Sequence, residues 1–333
     1  MKTLAVFTRE LGERIQSFGE YLSTSIFSAY LESIGYKNTL NDSTNYLGFD
    51  RDTREFKQLE NISLGNSINI FQGYVCKTIL LTGEYYKGNL GRGGSDYSAC
   101  IFAKFLQAKK VYIYTDVNGV YNTDPRILED AKLLSEISTR TMSLMAKYGA
   151  KVLHPDSLTP ATRSSIPVYI KNTFNPENEG TLISRQSEPT VPTYTILKSC
   201  YKYSIYFEID EGKEARDMIY KTISGFGDSI INMNMYSNSI SFYSKVVNIS
   251  INQNLNIEKK ETSLFLLSNL KKDDAMDIGS ISIDFMVLTK ELGLTLVSVP
   301  EPGSIVIEIA TENINNISDI ISRIDDFLGN HNV

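Results

Sequence analysis

The sequence predicts an α/β protein with a larger first domain followed by two small α+β modules. Three observations carry that reading. Short apolar strands alternate with helical segments over the first 190 residues, as in a sheet buried under helices. A polar stretch with two prolines at 184–192 then marks a linker. Beyond it, strand, helix, strand, strand succeed one another twice at similar spacing. The expected boundaries are 1–190, 195–260 and 261–333 within a chain of 333 residues.

The first element is a helix from Thr8 to about Glu32. Its apolar residues fall at Leu11, Ile15, Phe18, Leu22, Ile26 and Tyr30, a spacing that predicts one buried stripe. Ser33 to Gly35 ends it. Residues 39–66, rich in Asn, Asp, Ser and Gly, read as irregular surface with short strands. Ile68–Cys76 and Thr78–Leu81 are strand-like, and four glycines in Gly88–Gly94 interrupt the pattern. A second helix is expected after Asp96, whose carboxylate would cap it, with Ala99, Phe102, Ala103 and Leu106 inward. Val111–Tyr114 and Val168–Ile170 are short buried strands, and Thr141–Tyr148 a helix. After the linker the first round is Ser204–Ile209, Lys213–Ser224, Ile230–Tyr236 and Ser239–Tyr243. The second is Thr262–Leu267, Met276–Leu292, Thr295–Val299 and Ser304–Ile309, closed by a helix at Ile317–Leu328.

Composition excludes several classes. A formal net charge of −6 lacks the basic excess that captures nucleic acid. No apolar run approaches the ~20 residues of a membrane span, and no signal-like N-terminus is present, so a cytoplasmic location is expected. Cys76, Cys100 and Cys200 are far apart and odd in number, which fits reduced structural thiols. With two histidines and no paired cysteine motif, no metal site is expected.

Two segments carry chemistry. Gly91-Arg92-Gly93-Gly94-Ser95-Asp96 stands at a helix entry, where free amides and the helix dipole favour an anion and Arg92 adds a planar fork. A plain turn joining strand to helix is the alternative. Thr115-Asp116-Val117-Asn118-Gly119-Val120-Tyr121-Asn122-Thr123-Asp124-Pro125-Arg126 follows a buried strand, at the end of the sheet where ligands bind in open α/β folds. A plain loop is again the alternative.

In order with Ser17-Phe18-Gly19-Glu20, Gly149-Ala150-Lys151-Val152-Leu153-His154-Pro155, Thr173-Phe174-Asn175-Pro176 and Gly180-Thr181-Leu182-Ile183, these segments resemble aspartokinases of the amino-acid-kinase family. The resemblance implies a three-layer α/β/α kinase domain, here N-terminally shortened, then two ACT-like modules. It implies ATP-dependent phosphorylation of the side-chain carboxylate of L-aspartate, with Mg2+. Carried over, Glu20 would hold the substrate ammonium, Arg92 and Ser95 its carboxylates, and Tyr74 would lie against it. Arg92 and Asp96 would be catalytic, Asp96 organising the site near the phosphates. Thr115, Asp116, Tyr121, Arg126 and Lys151 would line the nucleotide. His154 reads as a turn residue, and Asp210–Lys213 as an ordinary loop or an effector site. Lysine or threonine would be the effector, and the ACT-like modules would form a homodimer. The family's opening strand and Lys-Phe-Gly-Gly-Thr-Ser loop are missing from the sequence. An active aspartate kinase, one part of a split enzyme, and an impaired homologue acting as a regulatory subunit therefore all remain open.

Overall fold

The computed structural model describes residues 8–330 apart from 51, 54, 151–154, 188, 208–212, 247–255, 269–282, 302–303, 311–312 and 314–315. Lys151 and His154, and Asp210 to Gly212 of the expected loop, lie outside the described residues. Contacts divide the chain into two units. One comprises Met1–Gly119, Glu136–Thr139 and Leu153–Ser187, the other Val120–Ser135, Arg140–Val152 and Glu188–Val333.

The first unit opens with α1 (Arg9–Ser33), a helix of 25 residues. Thr8 caps it by accepting the Leu11 amide at 3.2 Å, and Gly35, at φ +87°, ends it. Then come β1 (Asn38–Asn41), the single turn α2 (Ser43–Tyr46), β2 (Leu47–Asp50), β3 (Phe56–Gln58), β4 (Ile68–Phe71), β5 (Val75–Ile79) and β6 (Tyr85–Asn89). These precede α3 (Gly94–Phe105), β7 (Val111–Thr115) and β8 (Glu136–Ser138). Three sheets result among the described residues of this unit. β1 and β4 form a parallel pair, β2 and β5 pair in parallel within the order β3-β2-β5-β6, and β7 leads the order β7-β9-β10-β8 with β9 (Val168–Asn172) and β10 (Thr181–Ser184). Leu47, Cys76, Ile101 and Phe102 make the core of α3 against its sheet, and α5 (Pro155–Arg163) packs beside α3.

Three expectations are corrected here. The apolar stripe of α1 faces outward: Phe18 is 67% exposed, Ile26 61% and Ile15 59%. The helix instead turns its small and polar side to the sheets. Ser17 Oγ donates to the Glu13 carbonyl at 2.8 Å and to the Gly88 carbonyl at 3.3 Å, Tyr86 OH donates to Glu13 Oε2 at 3.1 Å, and Ser28 Oγ donates to Asn38 Oδ1 at 2.6 Å. A Cβ at Gly88 would lie 2.8 Å from Glu13 Oε2, so a glycine permits this close approach of helix to strand. Second, Gly88 belongs to a strand, β6, rather than to an interruption. Third, α3 begins at Gly94 and not after Asp96; its cap is Gly93, and Asp96 sits in the first turn.

The second unit holds α4 (Thr139–Lys147) from Arg140 onward, then β11 (Thr193–Tyr206), α6 (Lys213–Phe226), β12 (Ile230–Met235), β13 (Ser239–Ser244), β14 (Asn256–Ser268), α7 (Ile283–Glu291), β15 (Leu294–Glu301), β16 (Ser304–Ile309) and α8 (Ile317–Asn330). Each expected strand and helix of both rounds has a counterpart among the described residues, with β11 starting well before the expected Ser204; Glu208–Ile209 of that strand and Met276–Ser282 of the expected helix lie outside the described residues. All six strands share one sheet in the order β12-β13-β11-β14-β16-β15, because the long β11 and β14 pair antiparallel along their lengths. Leu264 to Leu267 and Ile305 to Ile307 are fully or almost fully buried within it.

Candidate functional site

The site is built where β6 hands over to α3. Gly91 and Gly93 both take left-handed backbone, at φ +77° and +71°, which folds the chain tightly before the helix. Asn89 Oδ1 accepts the Gly91 amide at 3.1 Å, and Ser157 Oγ donates to the Gly93 carbonyl at 3.1 Å, fixing the turn from both sides. Gly93 offers no side-chain cap; the Gly94 amide donates to the Gly91 carbonyl at 3.0 Å, and the first turn of this 12-residue helix presents the positive end of its dipole.

Tyr74 forms the adjacent wall. It stands between β4 and β5 at φ +68°, a conformation that costs a non-glycine residue energy and persists only where its surroundings impose it. The surroundings are explicit. Its amide donates to Ser98 Oγ at 3.1 Å, its carbonyl accepts the Leu90 amide at 2.9 Å, and its hydroxyl donates to Gln16 Oε1 at 3.1 Å. Asn89 Nδ2 also donates to Gln16 Oε1, at 3.2 Å.

Gln16 and Glu20 lie one turn apart on α1, so both side chains reach the same wall. Together with Tyr74 and residues 91–96 they line a cavity of about 430 Å³. Burial raises the carboxyls of Glu20 and Asp96 above their ordinary values, since taking a carboxylate partly out of water disfavours its charge. Arg92 on the same wall supplies the opposite charge. Such a cavity suits a small zwitterion, with two carboxylates for a cation and a guanidinium plus helix amides for an anion.

The four expected substrate-binding residues, Glu20, Tyr74, Arg92 and Ser95, and the expected catalytic Asp96 are therefore brought together. Gln16 was not anticipated; its signal was the i, i+4 spacing from Glu20. Cys100, behind Asp96 on α3, has its thiol pushed up to about 12, first by burial and then by the Asp96 charge, so it is an inert core thiol.

The expected nucleotide residues are distributed differently. Thr115 ends β7 in the first unit and Asp116 follows it, where Thr115 Oγ1 donates to Asp116 Oδ1 at 3.0 Å. Two of the sequence segments meet there. The Thr173 amide donates to the Thr115 carbonyl at 2.8 Å, and Asn172 Nδ2 donates to Asn118 Oδ1 at 2.8 Å. Tyr121 and Arg126 belong to the second unit. Tyr121 bridges Leu133, and Arg126 Nε donates to Asp124 Oδ1 at 2.9 Å, a fork that holds the Asp124 carboxyl below its ordinary value.

With this geometry in place, the comparisons decide the family. The model of the amino acid kinase family matches residues 2–172. The chain belongs to the amino acid kinase family. Among curated relatives, an aspartokinase of Chlamydia pneumoniae is 37% identical over 181 residues, which are 51% of this chain and 40% of that protein. This family member thus spans about two fifths of that relative's length. A crystal structure of Escherichia coli aspartokinase III in complex with lysine and aspartate overlays 96% of this chain and 76% of that one, with a TM-score of 0.73 at 21% identity. The same enzyme in complex with aspartate and ADP gives a TM-score of 0.71 at 22% identity over 95% of this chain and 75% of that one. At these identities the overlays show a shared fold. The resemblance to aspartokinases read from these ordered sequence segments is borne out.

Proposed function

We propose that this family member is an aspartate kinase, transferring the γ-phosphoryl group of ATP to the side-chain carboxylate of L-aspartate. The observation that carries this is the convergence of Glu20, Arg92, Ser95 and Asp96 on one cavity at the head of α3. Glu20 takes the substrate ammonium. Arg92 and Ser95 take carboxylate oxygens, and Tyr74 closes the side of the cavity. An aspartate carboxylate, with a pKa near 3.9, is already ionised at neutrality, so no general base is required. Its oxygen attacks the γ-phosphorus as the bond to the β-phosphate oxygen breaks, giving an acyl phosphate and ADP.

The work left to the protein is positioning and charge neutralisation. The amide end of α3 and Arg92 meet the negative charge of the transferring group, while Asp96 orients the groups around it. Thr115 and Asp116 serve the nucleotide, as do Tyr121, Arg126 and Lys151. Among the described residues no three metal-ligating side chains converge, so Mg2+ enters this reading with the phosphates of the nucleotide rather than in an all-protein cage.

The second unit is read as two ACT-like modules that bind a lysine or threonine effector and join copies of the chain. Its sheet ends in β12 and β15, edges that a second copy can cover. A cytoplasmic setting completes the reading.

Aspartyl hydroxamate formation from ATP, magnesium, aspartate and hydroxylamine tests it. Product that requires aspartate and falls with Arg92→Ala is the expected result. Absence of product with retained binding of ATP or lysine would leave a regulatory subunit instead.

A further inference from the structure

Gln16 is bound at one end of its amide and open at the other. Its Oε1 accepts from Tyr74 OH at 3.1 Å and from Asn89 Nδ2 at 3.2 Å, which engages both lone pairs of that oxygen. The turn at 91–96 sets which end of the amide faces which way. The Gly91 backbone amide can only donate, and Asn89 Oδ1 accepts it at 3.1 Å. Asn89 must then turn its NH2 group the other way, where it donates to the Glu13 carbonyl at 3.4 Å as well as to Gln16. Asn89 is only 3% exposed, so water scarcely competes for these bonds. A donor facing Gln16 demands its oxygen. The Gln16 Nε2 group is left with two N–H donors that meet no protein acceptor among the described residues. One turn along α1, the Glu20 carboxylate lines the same cavity and accepts no hydrogen bond among the described residues. Spaced i and i+4, these two side chains could bond each other, yet they do not. A free donor and a free acceptor therefore stand side by side on one wall.

We propose that Gln16 is a specificity-determining residue of this site, its Nε2 donating to the α-carboxylate of an amino acid whose ammonium sits on Glu20. The inference rests on the amino-acid-binding part of the reading above and not on phosphotransfer. One carbon carries both the ammonium and the α-carboxylate of such a ligand. Placing the first on Glu20 therefore brings the second within reach of the amide one turn away. Gln16 is exposed, so on binding its N–H groups exchange water for a charged acceptor, and hydrogen bonds to charged groups are the stronger ones. The class admitted is the free α-amino acid. A β-amino acid without an α-carboxylate gains nothing from Gln16.

Titration calorimetry on the full chain tests this with two ligands, L-aspartate and β-alanine, the second of which keeps the ammonium and the far carboxylate but has no α-carboxylate. Two variants separate recognition from support of the wall. Gln16→Glu keeps an oxygen for Tyr74 and Asn89 and replaces the donor by a negative charge, whereas Gln16→Met removes the donor and adds no charge. Both should weaken L-aspartate by roughly tenfold or more, and neither should weaken β-alanine. The circular dichroism melt of Gln16→Glu should match the parent. Unchanged affinity for L-aspartate in the two variants would overturn the proposal. So would an equal loss for both ligands, since Gln16 would then act only by holding Tyr74 in place. Hydroxamate formation is assayed separately. L-Aspartate that binds through Gln16 without phosphotransfer would sink the kinase reading and leave this role standing, and a parent that binds no L-aspartate would end both.

Discussion

The ring of Tyr74 lies over Gly94 so closely that a Cβ at Gly94 would sit 2.6 Å from Tyr74 Cδ2. Gly94 is the first residue of α3, and Tyr74 is held at positive φ by Ser98 of the same helix. Gly94→Ala must therefore push out the ring that forms one wall of the cavity. Overpacking of this kind costs about 1–3 kcal/mol. A melting temperature lowered by several degrees, with a raised KM for aspartate, is the expected outcome of calorimetry and the hydroxamate assay. An unchanged KM would show that the Tyr74 wall does not touch the substrate.

Arg92→Lys keeps the charge and removes the planar fork. Arg92 is exposed, so stability should stay within about 0.5 kcal/mol of the parent. Losing one charge-assisted hydrogen bond to a carboxylate is worth about 1.5–3 kcal/mol, so kcat/KM for aspartate should fall roughly ten- to hundredfold. Equal kinetics in the two proteins would remove Arg92 from the substrate contacts.

How much of this was legible in the sequence depends on which force set each feature. The turn at 91–96 was readable because glycine spacing and a following helical pattern act locally. The start of α3 was misplaced by three residues because a left-handed glycine cap leaves no side-chain signature, whereas Asp96 looks like a cap. The orientation of α1 was inverted for a different reason. Periodicity reports that a helix has an apolar face, and only tertiary contacts decide what that face meets. Here Glu13, Ser17 and Ser28 are the buried residues of the helix, tied by hydrogen bonds to β6 and β1 that no local pattern announces. Tyr74 entered through the family resemblance; its positive φ, imposed by Ser98, Leu90 and Gln16 from distant positions, has no sequence signal.

Asp96 is half-buried and its carboxyl is raised by desolvation, so its ionised form weakens the fold. The sign follows from linkage. A carboxyl whose folded value exceeds its unfolded value costs stability above the folded value and costs nothing below the unfolded one, near 3.9. Asp96→Asn should accordingly melt higher than the parent at pH 7, and the difference should vanish as the pH falls to about 4. Phosphotransfer should drop by on the order of 10²-fold in the same variant. A variant that melts lower at pH 7 would contradict the desolvation argument.

In the second unit, Glu308 on β16 is buried and fully engaged by three other strands. Its Oε2 accepts from Lys202 Nζ and from Tyr243 OH, both at 2.9 Å, and its Oε1 accepts from Thr262 Oγ1 at 3.1 Å. Burial by itself would raise this carboxyl, but the hydrogen bonds from Lys202 and Tyr243, the Lys202 charge and the Thr262 hydroxyl outweigh it and hold the group below its ordinary value. A depressed carboxyl stabilises the fold above its unfolded value, near 4.3, and that stabilisation is lost as the pH falls through the folded value. Removing the cation leaves a buried carboxylate without its counter-charge, which is strongly destabilising. Since Lys202 is partly exposed, at 29%, the cost should be less than for a fully buried pair, about 2 kcal/mol at pH 7 for Lys202→Met. Tyr243→Phe removes one neutral donor while the cation stays, and should cost about 1 kcal/mol. As the pH falls and Glu308 takes up its proton, urea denaturation should bring Lys202→Met and the parent closer together. A gap that stays constant from pH 7 to pH 4 would mean that Lys202 acts through the packing of its methylenes and not through Glu308.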